Sequence, residues 1–340
     1  PSSKGFTVHA PGMDVVDLGT VFGVEADAEV GSSVLVIEGS VRAQPATTSP
    51  LAFEPVVLET NQARRVTPET GQLESFVVNE RPVFHPEPVH PYVAAVLESK
   101  PVAFWRFEAA DLTRVPNEIT PGQNDLRAFG GVQHHNQGLL GRAAWFDNRD
   151  RQTAYFETQD HFGAIGPDAP FTIELWCWID EELTQETGSG SLASLYGRES
   201  DKEVQHHLVH IELQPNDAPP EWHPGSVRVH YTDLRYQDGD VHGLFSDESY
   251  ELKKWQHVVV TRQDRQLMLY LDGRPVGPLE GNVMQAEQAA FVIGRSVWLD
   301  RWLKNTRIDE VAFYDRAMTG DEIQSHWQAI QPPDQARPNP

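Results

Sequence analysis

The sequence predicts an all-β protein: a small β-domain, then a larger antiparallel two-sheet sandwich closed by a short C-terminal helix. Three observations predict it. Apolar runs rich in Val, Ile, Leu and aromatic residues, each bounded by Asp, Gly or Gln, follow one another between Trp255 and Tyr314 and read as strands. Shorter turn-punctuated runs of the same kind fill the first eighty residues. Between them, Arg81-Pro-Val-Phe-His-Pro-Glu-Pro-Val-His-Pro91 holds four prolines, which remove N–H donors and disfavour helix on both sides of each ring. The expected organisation is therefore a β-domain over 1–80, a proline-rich linker over 81–91, a sandwich over 92–330, and a tail over 331–340 with too little apolar content to order itself.

In the first domain the strands are Phe6-Thr-Val-His-Ala10, Asp14-Val-Val-Asp-Leu18, Val21-Phe-Gly-Val24, Ser33-Val-Leu-Val-Ile-Glu38 and Pro55-Val-Val-Leu58. Gly19 and Gly39 sit between strands as turn or bulge positions. After the linker, Tyr92-Val-Ala-Ala-Val-Leu-Glu-Ser99 has the pattern of two helical turns that Pro101 stops. Ala103-Phe-Trp-Arg-Phe-Glu108, Gly141-Arg-Ala-Ala-Trp-Phe-Asp147 and Phe171-Thr-Ile-Glu-Leu-Trp-Cys-Trp-Ile179 follow as strands. The runs Val258–Thr261 and Leu267–Leu271 are joined by the polar Arg262–Gln266, short enough for a hairpin. Asp272-Gly273 makes a second tight turn and sends Pro275-Val276 along a sheet edge, where a missing N–H costs little. Ile293-Gly-Arg295 and Arg307–Arg316 close the sandwich. Thr319 at N-cap and Glu322 at N3 then form a capping box, and Ile323, Trp327 and Ile330 share one helical face directed at the sheet.

The chain has 340 residues and a net charge of −23. Residues 1–100 carry 6 basic against 13 acidic side chains and the remainder 21 against 37, so both parts are acidic. A uniformly acidic protein without a basic stripe is a poor partner for nucleic acid or an anionic membrane. No run approaches eighteen apolar residues, which argues against direct membrane insertion. The start Pro1-Ser-Ser-Lys has neither an initiator Met nor an apolar signal core, as expected of a fragment or processed form. The single Cys177 forms no internal disulfide, and between Trp176 and Trp178 it reads as a buried, inert thiol.

Seven of these motifs, taken in order, resemble the laminin-G-like (concanavalin A-like) jelly-roll family: "W-x-F" at Trp105, "G-x-A-x-x-F-D" at Gly141, "F-T-I-E-x-W" at Phe171, "W-x-H-V-V-x-T" at Trp255, "L-Y-L-D-G" at Leu269, "I-G-R" at Ile293, and "I-D-E-V-x-x-Y-x-R-A" at Ile308. The resemblance spans about residues 92–330 and implies a jelly roll; one fold hosts many functions, so it implies no activity. Over residues 5–78, "D-L-G-T-x-F-G-V" from Asp17 and "V-x-V-x-E-G-x-V" from Ser33 onward resemble the extracytoplasmic β-domain of FecR-type iron-dicitrate sensors, membrane-anchored regulators of sigma factors. Asn61 stands where that family usually has Gly. This resemblance implies an extracytoplasmic setting, with a membrane anchor and a signalling partner outside the present sequence.

Several constellations bear on chemistry. The sequence has no G-x-S-x-G elbow, no H-E-x-x-H and no Cys/His zinc spacing. His206 and His210 fall on one side of a strand and His207 on the other; the pair is open to a third metal ligand, or all three are solvent-facing. Glu174 offers one carboxylate, and Asp309-Glu310 an adjacent pair directed to opposite faces, neither of which suits the two-carboxylate mechanism of retaining glycosidases. Through the jelly-roll resemblance, calcium is the one candidate cofactor, with Glu108 and Asp309 as its candidate ligands. The usual acidic-Ser-Gly loop is replaced by Asn117-Glu-Ile-Thr-Pro-Gly122. Trp298, Asp300, Arg301 and Trp302 combine rings and polar groups on one loop, the pattern that carbohydrate recognition uses; Trp222 and Tyr236 are further candidates, and such tryptophans also plug sandwich ends. The expectation is a non-enzymatic, extracytoplasmic binding protein for a polysaccharide or an extracellular protein. A structural or adhesive surface protein and a glycan-processing enzyme are the alternatives.

Overall fold

The computed structural model describes residues 6–19, 21–27, 31–46, 53–67, 71–75, 90–109, 111–148, 153–199, 202–231, 243–281, 285–296 and 301–330. The tail and most of the expected linker lie outside these. The chain forms two compact units, Pro1–Pro88 and Val89–Pro340.

The first unit contains two four-stranded antiparallel sheets. One runs Thr7–Ala10, Met13–Asp17, Ser40–Pro45, Val56–Glu59; the other runs Val21–Asp27, Gly31–Glu38, Ala63–Val66, Leu73–Ser75. Period-2 alternation places Met13 and Val15, Val34 and Val36, and Val41 and Ala43 in a shared core with Leu58 and Val66. Asn61 has φ of +66°, the left-handed region that Asn tolerates better than most residues with a Cβ.

The second unit is an antiparallel jelly-roll sandwich. Its front sheet has eight strands in the order Arg114–Val115, Leu126–Phe129, Tyr155–Thr158, Gln288–Ile293, Gly190–Glu199, Lys202–Leu213, Ser226–His230, Gly243–Ser249. The back sheet runs Gln133–His135, Ala143–Phe146, Thr306–Tyr314, Phe171–Ile179, Trp255–Gln263, Gln266–Leu271, Arg274–Leu279, with Ala103–Trp105 also paired to Thr306–Tyr314. The expected hairpin is tighter than the sequence suggested, because the strands extend to Gln263 and Gln266 and only Asp264-Arg265 turn. Both turn residues have positive φ, as a type I′ turn requires. Arg274–Leu279 is the sheet edge, so Pro275 leaves no central ladder position empty. Leu195, Ile211, Val229, Phe291, Ile173, Val260 and Phe313 meet in the core between the sheets. Cys177 is fully buried there, and burial pushes its thiol pKa up, so it stays protonated.

Two bulges interrupt the alternation that sequence reasoning assumed. Ile308 and Val311 both enter the core, and Glu310 between them has φ of +50°; the pairing with Phe171–Ile179 shifts register at this point. Asp309 and Glu310 therefore leave the core together rather than on opposite faces. On the front sheet Leu208 and Val209 both enter the core, with a register shift opposite Leu195 and Tyr196. His207 and His210 consequently share the outer face instead of opposing each other.

Two helices, Pro91–Glu98 and Gly320–Ile330, cover the outer face of the back sheet. His90 caps the first, its Nδ1 accepting from the Tyr92 N–H. The capping box of the second is reciprocal: the Thr319 hydroxyl accepts from the Glu322 N–H, and the Glu322 carboxylate accepts from the Thr319 N–H at 2.8 Å. Tyr92, Val96, Ile323 and Trp327 pack on Phe104, Trp176, Val259 and Tyr314. At the centre of this layer lies Glu174, with 0% exposure. Its carboxylate accepts from the Tyr92 and Tyr314 hydroxyls at 3.0 and 2.8 Å, and lies 2.8 Å from His257 Nε2 and 3.1 Å from His326 Nδ1. Burial alone raises the Glu174 pKa, but His326 and His257 more than offset that and hold it well below the carboxylate range. Burial lowers the His326 pKa and Glu174 raises it, with a net rise.

Glu174→Gln leaves a cationic His326 without its counter-charge and is expected to cost about 3 kcal/mol, measured as a lower urea midpoint. Because the Glu174 pKa is depressed from 4.5, its contribution is complete above that value and fades as pH falls toward the folded value. Because the His326 pKa is raised from 6.5, its contribution is complete below that value and fades as pH rises through the folded value. The difference between wild type and Glu174→Gln should therefore be largest between about pH 4.5 and 6.5; a difference independent of pH contradicts the ion-pair account.

Candidate functional site on the front sheet

The outer face of the front sheet carries no helix among the described residues. Strand register aligns Arg127, Glu157, Val292, Ser194, His210, His230 and Gly243 in one row across it. The row has a polar end, which Arg301 reaches, and an aromatic end, which Trp302 reaches.

At the polar end, His210 Nδ1 lies 2.9 Å from His230 Nε2, and its Nε2 lies 2.8 Å from the Ser191 hydroxyl. The His207 ring stacks on His210 with centroids 4.6 Å apart. Glu212 has 0% exposure; it accepts from Arg228 at 3.1 Å, Gln214 at 2.9 Å, and Arg301. His230 Nε2 is 3.6 Å from the same carboxylate. Burial raises the Glu212 pKa, and His230, His210 and Arg301 reverse this, leaving it well below the usual range. Burial pushes His210 well down, with His207 and His230 adding to the effect, and burial also lowers His230. Both imidazoles are therefore neutral near neutral pH.

His210, Glu212 and His230 place three potential metal-ligand atoms within 4.8 Å of one another. Their charge environment opposes a cation. One carboxylate already faces two guanidinium groups, leaving one net positive charge before any metal arrives, and a buried dication would raise it to three.

The candidate calcium ligands do not fit calcium either. Glu108 accepts from the Arg142 N–H at 3.2 Å, and Asp309 accepts from the Leu139 and Glu310 N–H groups at 2.8 and 2.9 Å. Hydrogen-bond donors thus occupy the oxygens that a hard cation would need. A Cβ on Gly141 would run into the Glu108 carboxylate, which accounts for the glycine in that motif. Burial pushes the Asp309 pKa well up, helped by Glu310; burial likewise pushes Glu310 up to about 8 despite the opposing Arg106. This side-by-side acid pair is fully buried, with Arg106 on Glu310 and the 138–142 turn on Asp309. Asn117, in the substituted loop, accepts from the Phe104 and Ile119 N–H groups and donates to the Val102 and Gln123 carbonyls.

At the aromatic end, Phe129 and Tyr155 stack with centroids 4.6 Å apart, and Tyr155 and Trp302 follow at 5.9 Å. Tyr155 also packs beside Tyr196, Ala290 and Val292. The Arg295 guanidinium lies 4.0 Å from the Tyr155 ring centroid and 5.9 Å from that of Trp302, and Arg127 lies 5.2 Å from Phe129.

Of the sequence-predicted residues, Arg301 and Trp302 come to this face, Arg301 at the polar end and Trp302 at the aromatic end. Trp298, Asp300 and Tyr236 lie outside the described residues. Trp222 ends the short 3₁₀ helix Pro220–Trp222 with 56% exposure, separate from the ring strip. Sequence reasoning missed Phe129, Tyr155, Arg295 and Glu212. Arg295 was visible only as the third residue of a strand motif, Phe129 and Tyr155 meet only by strand pairing, and Glu212 belongs to no motif. The expected solvent-facing histidines are buried at His207 and His210, because Ser191, Ser296 and His230 close around them. Since folding lowers the His210 pKa from 6.5, stability is complete above that pH and is lost as pH falls below it. Wild type is expected to lose about 1.4 kcal/mol per pH unit for each histidine held neutral. His210→Gln should flatten the slope between pH 6.5 and 5, read from urea midpoints; an unchanged slope removes His210 from the titration.

The family described as the concanavalin A-like lectin/glucanases superfamily matches residues 150–324, just over half of the chain. A comparison with curated proteins returns no match. Among solved structures, the chain is similar to domain 4 of AbnA, an extracellular GH43 arabinanase from Geobacillus stearothermophilus, in complex with arabinotriose. Identity is 17% and the TM-score 0.49, covering 67% of this chain and 98% of that one. It is also similar to the botulinum neurotoxin serotype D ligand-binding domain in complex with N-acetylneuraminic acid, at 12% identity and TM-score 0.49, covering 70% of this chain and 52% of that one. The binding domain of Paraclostridial Mosquitocidal Protein 1 matches at 14% identity and TM-score 0.48, covering 68% and 52%; this chain thus spans about half of the two toxin chains. With the two-sheet architecture and the family match together, the chain belongs to the concanavalin A-like lectin/glucanases superfamily.

Proposed function

We propose that the second unit is a non-catalytic carbohydrate-binding module whose ligand lies along Phe129, Tyr155 and Trp302. The observation that carries this reading is the run of three rings on the outer face of the front sheet, at 4.6 and 5.9 Å spacing. Sugar C–H groups pack against the exposed parts of such rings while flanking polar groups fix orientation. A binding role is supported by the state of the nearby and buried carboxylates. Glu212 and Glu174 are held ionised under full sets of donors, and Asp309 with Glu310 is enclosed, so none of the four has the access that an acid or nucleophile needs. The first unit, through its resemblance to FecR-type sensors, would tie ligand occupancy to a membrane-anchored sigma-factor regulator outside the cytoplasm. No helix among the described residues is long and apolar enough to cross a membrane.

A glycan array probed with wild type, Trp302→Ala and Tyr155→Ala tests the reading. Each substitution is expected to weaken binding about tenfold, from the loss of roughly 1.4 kcal/mol of stacking, with thermal unfolding of the variants as a check on folding. Unchanged binding in both variants, or hydrolysis of a bound glycan by the wild type, overturns it.

A further inference from the structure

We infer that the glycan is acidic, a polysaccharide bearing sugar carboxylates, and that Arg295 receives the carboxylate. The inference rests on the ring strip being the glycan site and goes on to name the ligand's chemistry.

The chain carries a net charge of −23, yet arginines accompany the strip along its length: Arg127 beside Phe129, and Arg295 between Tyr155 and Trp302. Farther along the same face, Arg228 and Arg301 are already engaged by Glu212. Arg295 differs from them. Its Nε is buried without a hydrogen-bond partner. Glu157 Oε2 forms an ion pair with the Arg295 Nη2 at 3.8 Å, too long for a hydrogen bond. The other Glu157 oxygen accepts from the Tyr196 hydroxyl, on the strand Gly190–Glu199 beyond Gln288–Ile293.

A guanidinium presents five N–H donors in a rigid plane, and a buried donor left unpaired is costly. Here the plane is held against two rings, so its orientation is set before a ligand arrives. A sugar carboxylate would meet it through paired, charge-assisted hydrogen bonds, which are shorter and stronger than those to a neutral hydroxyl. The surrounding negative charge repels a polyanion at long range, and that repulsion is screened beyond about 10 Å at ordinary salt. Contact at Arg295 then decides between acidic and neutral glycans. The strip supplies affinity for a pyranose ring of either kind, and the arginine supplies the discrimination.

The test is calorimetric titration at pH 7 with oligogalacturonate and oligomannuronate, each as the free acid and as its methyl ester, and with a heparin-derived oligosaccharide as the sulfated control. Wild type is expected to bind at least one free acid at least tenfold more tightly than its ester. Arg295→Met, which keeps much of the stacking bulk but loses the charge, should bring acid and ester within about twofold, and Arg295→Lys should restore only part of the preference. Equal binding of acid and ester by wild type, or a preference that survives in Arg295→Met, overturns the inference, as does tight binding of the sulfated chain alone. Trp302→Ala separates the two levels: if it abolishes binding of acid and ester alike while neither is preferred, the ring strip stands and the acidic ligand falls. If neither Trp302→Ala nor Tyr155→Ala changes binding, the ring-strip reading itself fails.

Discussion

Each sheet of a two-layer sandwich gives one face to the shared core, and the fate of its other face is the constraint on which the rest of this unit depends. A buried carboxylate organises each outer face. On the back sheet, Glu174 binds Tyr92 of the first helix and His326 of the second as well as Tyr314 and His257 of the sheet itself. That single group ties both helices to the strands beneath them. On the front sheet, Glu212 binds Arg228 within the sheet and Arg301 of the loop that follows the strand Gln288–Ile293. The back face is closed by the helices. The front face is covered at one end, and the rings beyond that cover remain partly open to a ligand.

The two carboxylates reach the same end by opposite balances of charge. Glu174 draws on two imidazoles and two phenols, so its layer contains one strong base-sensitive partner, His326, and loses stability as that group deprotonates. On the front sheet, burial holds the neighbouring His210 and His230 neutral although Glu212 favours their protonated forms. Acid therefore strains the front network, whereas alkali strains the back one. The direction follows in each case from whether burial or the neighbouring carboxylate dominates the histidine.

Much of this architecture was legible in sequence because it is local. Strand runs, the Asp272-Gly273 turn, the capping box of Thr319 and Glu322, and the edge position of Pro275 are set by neighbours within a few residues. The failures share one cause. Strict alternation assigns Asp309 and Glu310 to opposite faces, and separates His207 from His210; one bulge in each strand reverses both assignments. A bulge depends on the partner strand: Thr306–Tyr314 pairs with the distant Phe171–Ile179, whereas Lys202–Leu213 is bulged against its own hairpin partner Gly190–Glu199. The ring strip was hidden because its members are far apart in sequence: Phe129 meets Tyr155 by strand pairing, and Trp302 follows Gln288–Ile293, which pairs with Tyr155–Thr158. Trp302 and Arg301 were found because aromatic and polar residues cluster within one loop, a signal that needs no partner.

The motif Ile293-Gly-Arg295 shows how a structural signature and a binding residue come to share three positions. Gly294 has φ of +92°, and a Cβ there would collide with the Phe146 ring, so the strand must turn at a glycine to leave the sheet. The turn brings the chain into the bridge between Arg295 and Trp302, which fixes the guanidinium beside the indole and above Tyr155. The Ser296 N–H then donates to the Arg301 carbonyl at 2.9 Å, and the Arg301 side chain reaches Glu212. A glycine required for backbone geometry thus sets the position of the arginine on the aromatic strip and of the arginine that covers the histidine network.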